Sequence, residues 1–485
     1  MSLLIPGTNS IKDTGYDVAN SARFNVGSSD NIQRTYGTPT NAKIFGLSWW
    51  VKLGKAWDGS GSQDFWGERA DGSNRVFHGI NADGTFQYFE KNGGSTTLDI
   101  KTNRLFRDNS AWYHFLLLGD STQGTAANRL KLYINGVQET SFSTESYPSS
   151  DYQFRLAVGS STKYFGRIGL GGSLSTNYYD GYLAEAVFVD GTVTAHTDYG
   201  EFDEDSPTIW KPKDVSGLTF GNNGFYLDFE NASNLGADVS GNGNDFTVNN
   251  LTSIDQSIDT CTNNFATFDP INLPSSSVLS EGNLDVQTSG SSRDTAFSTI
   301  GVSKGKWYAE FKLVAGEGGN VRMDVGINGD PAEITRSVVP IGNGTTGFSF
   351  DGESAVKVTN GSSSGSFGSA LSIGDIVMLA VDLDNLKIYF GKNGTFFESG
   401  DPTSGSTGTG SAFDLTAPAS TPSGFYFLGC SDHSVGFNQN FHANFGSPPF
   451  SISSGNSDAE GFGNFEYAVP SGYYALNTTN LNTYG

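Results

Sequence analysis

The chain has 485 residues, which suits two large all-β units or roughly three average domains. Against 28 basic side chains stand 51 acidic ones, a net charge of −23, and that field repels phosphate and so excludes nucleic acid and anionic lipid as expected partners. Aromatic residues make up 13% of the chain, too many for a disordered polymer, and glycine fills 63 positions, about twice the usual share, so tight turns are frequent.

No run approaches the ~18–20 apolar residues that a membrane-spanning helix needs. The first seven residues carry no basic stretch and only three consecutive hydrophobes, so no signal peptide is expected. The cysteines, Cys261 and Cys430, are expected as two lone buried thiols, one bridge being the alternative.

Along the chain, apolar runs alternate with Gly/Asn/Ser/Asp clusters, as in sandwiches and barrels. Residues 46–53, 112–118, 129–134, 154–158 and 182–189 read as strands in the first half. Residues 306–314, 323–327, 347–350, 376–381, 386–390 and 425–429 do so in the second. Several alternate with period two, which puts one face in a core and one in water. Asn135-Gly136, Asp190-Gly191, Asp351-Gly352 and Asn393-Gly394 supply the pairs expected at tight turns with positive φ. The Gly/Ser-rich stretches 361–369 and 400–411 read as long loops.

The expected fold is therefore all-β, two antiparallel β-sandwiches of the jelly-roll type joined by an extended linker. Its parts are an N-terminal extension (1–14), a first sandwich (15–200), a bridging segment (201–277), and a second sandwich with a C-terminal tail (278–485). The acidic, proline-bounded stretch 201–207 and the polar stretch 249–277 suggest the boundaries of the bridge.

The first half resembles laminin-G-like domains of the concanavalin A type. The resemblance rests on Ser21-Ala-Arg-Phe-Asn25, Phe45-Gly-Leu-Ser-Trp-Trp-Val-Lys52, Trp112-Tyr-His-Phe115, Leu130-Lys-Leu-Tyr-Ile-Asn-Gly-Val137 and Asp180-Gly-Tyr-Leu-Ala-Glu-Ala-Val-Phe188. The second half resembles a SPRY domain through Gly305-Lys-Trp-Tyr-Ala-Glu-Phe311, Asp324-Val-Gly-Ile327, Gly374-Asp-Ile-Val377 and residues 381–394. Residues 217–247 and 262–270, lying between them, are similar to proteins of marine bacteriophages that carry this same tandem. That resemblance implies a virion protein: a surface fibre, tip or capsid decoration made in the host cytoplasm. It would lie on the virion surface beside other virion proteins, as a homo-oligomer with a trimer expected first, and contact a host-surface glycan or protein.

Concanavalin A-type jelly rolls also include glucan hydrolases, which need two carboxyls about 5–5.5 Å apart when retaining. Glu201 and Asp203 have the required alternation, but Asp205 stands where a further glutamate belongs, and all three follow the closing strand. Cys430 and His433 lack the second ligand pair of a closed zinc site. No catalytic residues are assigned, and the chain is not expected to be an enzyme; a secreted polysaccharide-binding or polysaccharide-degrading protein is the alternative.

The stretch Asp238–Asp245 offers oxygens at positions one, three and five of a calcium loop with glycine at six, which makes Asp238, Asn242 and Asp245 the weak candidate ligands, but Asn249 occupies the position of the bidentate glutamate. A turn held by its own side chains is the expected reading, so no cofactor is assigned and calcium is only a weak candidate. Sugar recognition needs an aromatic platform beside carboxylates or amides, because a pyranose has an apolar face and a polar rim. Trp57, Asp58, Asp64 and Trp66 follow an early strand among glycines, and Tyr178 and Tyr179 precede the last strand of the first unit. These six are the candidate ligand-binding residues, although ordinary core is the favoured reading for Trp57 and Trp66.

Overall fold

A computed structural model describes residues 15–54, 61–168 and 177–485. The chain is all-β and divides into two compact units, one ending at Thr262 and the other beginning at Asn263. Each is built on two large sheets around its own core, antiparallel except where Tyr474–Ala475 pairs parallel with Lys306–Gly316, and the first unit adds a two-stranded sheet.

In the first unit, one sheet has the order Val137–Gln138, Leu130–Ile134, Trp112–Asp120, Ile44–Leu53, Gly181–Asp190, Ser21–Phe24, Gln256–Ser257, with Phe225–Leu227 also paired to Gly181–Asp190. The second has the order Phe142–Ser146, Ser95–Leu105, Thr85–Asn92, Arg75–Ile80, Gln63–Arg69, Thr162–Phe165, Asn31–Thr35, Thr247–Asn249. Leu47, Trp49 and Val51 point into the core between the sheets, where Trp49 stacks on Phe115 with ring centroids 5.6 Å apart.

Ile44–Leu53 is buried along nearly its whole length, because the first sheet is covered on both faces. On the far side, Trp50 and Trp112 pack with Tyr182 and Trp210, and Val187, Val189, Tyr199, Val215, Phe220 and Tyr226 form a neighbouring cluster. His114 sits in this layer. The Trp210 indole can only donate, and it does so to His114 Nδ1 at 3.0 Å, so the proton lies on Nε2 and is donated to Ser48 Oγ at 2.8 Å. Lys52 and Asp259, both almost fully buried, pair at 2.6 Å, and Trp112 Nε1 donates to the same carboxylate at 3.1 Å. This pair fastens residues 257–262 to the central strand. Of residues 201–277, read in the sequence as a bridge, 201–262 thus belong to the first unit, where they supply the covering layer and three strands of its two large sheets, Phe225–Leu227, Thr247–Asn249 and Gln256–Ser257.

The second unit pairs a nine-stranded sheet with a six-stranded one. Lys306–Gly316, Ile376–Asp382 and Gln439–Asn444 are central in the first; Tyr426–Asp432 and Met323–Asn328 are central in the second. Trp307, Phe311, Leu379 and Phe441 meet Val325, Phe350 and Leu428 in the core. The Glu310 carboxylate, fully buried, accepts from the backbone N–H groups of Glu466 (3.0 Å) and Tyr467 (2.8 Å) and from Asn444 Nδ2 (3.1 Å), which holds the C-terminal segment against the sheet. Among the described residues the α-helices are Pro331–Ser337 and Thr478–Tyr484, each seven residues long.

Several expectations are corrected. Residues 154–158 form a turn rather than a strand; Phe154 is nonetheless buried, edge-on to Phe45 at 4.9 Å. The serine-rich stretch after Asn360-Gly361 contains the edge strand Ser362–Ser366, which pairs with Val356–Thr359 through backbone alone, its side chains being exposed. Asn135-Gly136 and Asn393-Gly394 do adopt positive φ at both residues. At Asp351-Gly352 the glycine serves close approach instead: a Cβ would lie 2.8 Å from the Met323 carbonyl oxygen. Both cysteines are free thiols.

Candidate functional site

The outer face of the second sheet of the first unit carries the site. In Arg75–Ile80, Val76, His78 and Ile80 are buried, which turns Arg75 and Phe77 outward. In Thr85–Asn92, Phe86, Tyr88 and Glu90 are buried, which turns Gln87, Phe89 and Lys91 outward. Register then aligns Asp99, Phe89, Phe77, Gly67, Tyr164 and Gln33 in one row across six strands.

At the centre of this row Phe77 and Phe89 stack with centroids 5.4 Å apart and an interplanar angle of 28°, both partly exposed. Beside them Gln87 Nε2 donates to Asp99 Oδ1 at 2.6 Å, and Lys101 pairs with Asp83 at 2.5 Å. Burial pushes the Asp99 carboxyl up, against the Gln87 hydrogen bond and the Lys101 charge. Beyond Phe77 the row changes character. A Cβ on Gly67 would lie 2.8 Å from Ile168 Cα, so only glycine lets that backbone cross the sheet there. Past it, Arg167 lies over the rings of Tyr164 (5.6 Å) and Tyr178 (4.7 Å) and donates to the Tyr178 hydroxyl at 2.6 Å.

Trp57 and Asp58 lie outside the described residues. The other predicted sugar contacts do not form an exposed platform. A bulge at Phe65 sends both Phe65 and Trp66 into the core, where Trp66 stacks on His78 at 5.6 Å. Tyr179 is buried and donates to the carbonyls of Lys52 and Tyr182, each at 2.8 Å. Asp64 opposes Gly79 on the outward side of the sheet yet is 3% exposed; burial, opposed by an Asn177 hydrogen bond, pushes its carboxyl up to about 7. Tyr178 alone stays partly exposed, holding Arg167.

The acidic turn needs no cation to explain it. Asp238 accepts from the N–H groups of Tyr226, Ser240 and Asn244 and from Ser240 Oγ, at 2.7–2.9 Å. Asp245 accepts from Asp238 N at 2.8 Å, and Asn242 Nδ2 donates to the carbonyls of Gly221 and Gly224. These hydrogen bonds tie the turn, with Asn242 and Asp245 still exposed at its surface. In the second unit, ligand atoms of Asp324, Asp351 and His433 lie within 4.8 Å of one another, a donor set a divalent cation could use. The imidazole already bridges carboxylates there, Nδ1 to Asp324 at 3.0 Å and Nε2 to Glu353 at 2.9 Å, and Arg322 pairs with Glu353. Glu201 and Asp203 lie in and just after the strand Gly200–Phe202 of a separate two-stranded sheet, with Lys211 Nζ at 3.8 and 3.6 Å.

A family model described as the concanavalin A-like lectin/glucanases superfamily matches residues 26–197. The matched residues lie within the first unit. Among solved structures, the SPRY domain of human HERC1 is similar at 18% identity, covering 36% of this chain and 96% of its own, with a TM-score of 0.28. A SAP-like pentraxin from Limulus polyphemus is similar at 14% identity, covering 38% and 81%, TM-score 0.28. A putative carbohydrate binding protein from Bacteroides ovatus is similar at 14% identity, covering 49% and 60%, TM-score 0.32. No curated protein matches the chain.

Proposed function

We propose that the first unit binds a glycan on the outer face of its second sheet, with Phe77 and Phe89 as the platform. The observation that carries this is the outward, stacked aromatic pair beside the Gln87–Asp99 hydrogen bond. The apolar face of a pyranose packs on such rings while its hydroxyls reach the amide and carboxylate. The family model that matches residues 26–197 is described as one of lectins and glucanases, which supports the same reading. Binding rather than catalysis is the role assigned.

The protein is further proposed to be a structural protein of a bacteriophage virion, a surface fibre, tip or capsid decoration. In that role it assembles with other virion proteins as a homo-oligomer, a trimer first, and meets the host-surface glycan. The tandem of a laminin-G-like and a SPRY-like unit, similar to marine bacteriophage proteins, supports this. The direct test is affinity electrophoresis of the pure chain in gels containing laminarin, agarose or host envelope glycans. Retardation that Phe77→Ala abolishes supports the reading; the release of reducing ends would favour a hydrolase. Mass spectrometry of intact virions that never finds the chain would contradict the virion role.

A further inference from the structure

Next to the aromatic row lies a row of cations. Arg69 stands directly opposite Arg75 across one strand pair, and Arg75 directly opposite Lys91 across the next, all turned to the outer face. Like charges so placed repel, since directly opposed side chains sit only about 4.5–5.5 Å apart at Cβ. Among the described residues none of the three forms an ion pair, and Arg69 Nη1 and Arg75 Nε are buried atoms with no hydrogen-bond partner.

Several other cations of the first unit have acidic partners. Lys52 has Asp259, Lys101 has Asp83, Arg104 has Glu139, and Lys163 and Arg155 share Glu68. In a chain with 51 acidic residues against 28 basic ones, three adjacent unpaired cations are a local inversion of the charge balance. Nearby carboxylates are already engaged: Asp71 accepts from Ser73 N and Asn74 Nδ2, and Asp99 accepts from Gln87 Nε2. The Arg75 guanidinium lies 5.3 Å over the Phe89 ring, so the cation row and the aromatic row form one surface.

We infer that the ligand of this face is an anionic polysaccharide, whose carboxylate or sulfate ester is held by Arg69, Arg75 and Lys91 while the sugar ring stacks on Phe77 and Phe89. The inference rests on the glycan reading above and adds the charge of the ligand. A planar guanidinium offers parallel N–H donors that match either oxyanion, and an ammonium adds a third point of positive charge in the same row. The net charge of −23 repels a polyanion from afar, but at ~0.15 M salt that field is screened within about 8 Å, and contact chemistry decides.

The test compares polysaccharides that share one backbone. The affinity of the full chain is measured by calorimetry at ~0.15 M salt for cellulose oligosaccharides, carboxymethylcellulose and cellulose sulfate, and in parallel for dextran, carboxymethyl-dextran and dextran sulfate. The expected result is at least tenfold tighter binding of a charged member than of its neutral parent, the carboxymethyl and sulfate arms telling which oxyanion is preferred. The Arg69→Gln/Arg75→Gln variant, and separately Lys91→Gln, lose that preference, and Phe77→Ala weakens both forms. Equal affinity for charged and neutral members, with binding still sensitive to Phe77→Ala, overturns the inference and leaves the glycan reading standing. A preference that survives the arginine and lysine substitutions also overturns it. Binding to no polysaccharide in the set, with no effect of Phe77→Ala on any host glycan, overturns both.

Discussion

Phe77 and Phe89 face each other across neighbouring strands, ring centroids 5.4 Å apart, on the outside of the sheet, while the residues that follow them, His78 and Glu90, point into the core. Two strands therefore expose a phenylalanine and bury a polar group at adjacent positions, the reverse of what stability alone favours. On the buried side Glu90 accepts from the Tyr88 hydroxyl, from the Tyr152 hydroxyl at 3.0 Å and from Arg155 N at 3.0 Å, whereas among the described residues neither ring nitrogen of His78 has a hydrogen-bond partner and the ring is held by stacking on Trp66. On the exposed side the Arg75 guanidinium lies 5.3 Å over the Phe89 ring, and the proposed function places a sugar ring on the same pair.

Asp64 gives a pH-dependent prediction. Its folded carboxyl titrates at about 7 because of burial, well above the ordinary 3.8, so the folded state holds the proton more tightly than the unfolded chain. Stability contributed by the protonated form is complete at acid pH and is lost as pH rises from about 4 to 7. Asp64→Asn removes that loss, so the variant is expected to exceed the natural protein at pH 8 by roughly 2–4 kcal/mol and to match it near pH 4. Chemical denaturation at the two pH values checks this; an equal gap at both would contradict it.

In the second unit His433 bonds carboxylates through both ring nitrogens, which requires the doubly protonated imidazolium when those carboxylates are ionised. Burial disfavours the charged ring, but the hydrogen bond and charge of Asp324 outweigh it and the ring titrates above its ordinary 6.5. The stabilisation is thus full below about 6.5 and lost as pH rises through the folded value. Asp324, pushed up to about 6 by burial against the His433 bond, acts with the same sign between about 4 and 6. Replacing His433 by Gln is expected to cost roughly 1.5–3 kcal/mol at pH 6 and far less at pH 9. Melting curves across that range check it, and a variant that keeps the natural protein's slope above pH 6.5 would contradict it.

The turn 238–245 predicts the response to chelation. Asp238→Ala removes the acceptor of four hydrogen bonds and is expected to cost about 1–3 kcal/mol. EDTA is expected to leave the thermal midpoint of the natural protein unchanged, because the same oxygens serve the backbone. A drop on EDTA treatment, reversed by calcium, would return Asp238 and Asp245 to the role of ligands.

Long alternating strands were legible from composition and period. Lys306–Gly316 and Ile376–Asp382 announce themselves by their apolar stripes, and Asn135-Gly136 and Asn393-Gly394 by the turn they require. The place of residues 201–262 was not, because the strands there are three residues or shorter and too brief to show a period. The clue lay elsewhere: adjacent Trp49 and Trp50 in one strand demand cover on both faces, and Trp210 and Tyr182 provide it for Trp50. At the site, the stretch Asp64-Phe-Trp-Gly67 read as an open loop because a bulge breaks the alternation that would have marked Trp66 as core. Phe77 and Phe89 were findable, since the parity set by Val76 and Ile80, and by Phe86 and Tyr88, leaves them outside.

The most direct measurement is the affinity of the full chain for a panel of neutral and anionic polysaccharides, beside that of the Phe77→Ala/Phe89→Ala variant, with a cooperative melt of the variant as the control for folding. The platform account predicts that the natural protein binds at least one polysaccharide and that the variant, still folded, binds it at least tenfold more weakly, as expected from about 1 kcal/mol or more lost per stacked ring. Undiminished binding by the folded variant would contradict it.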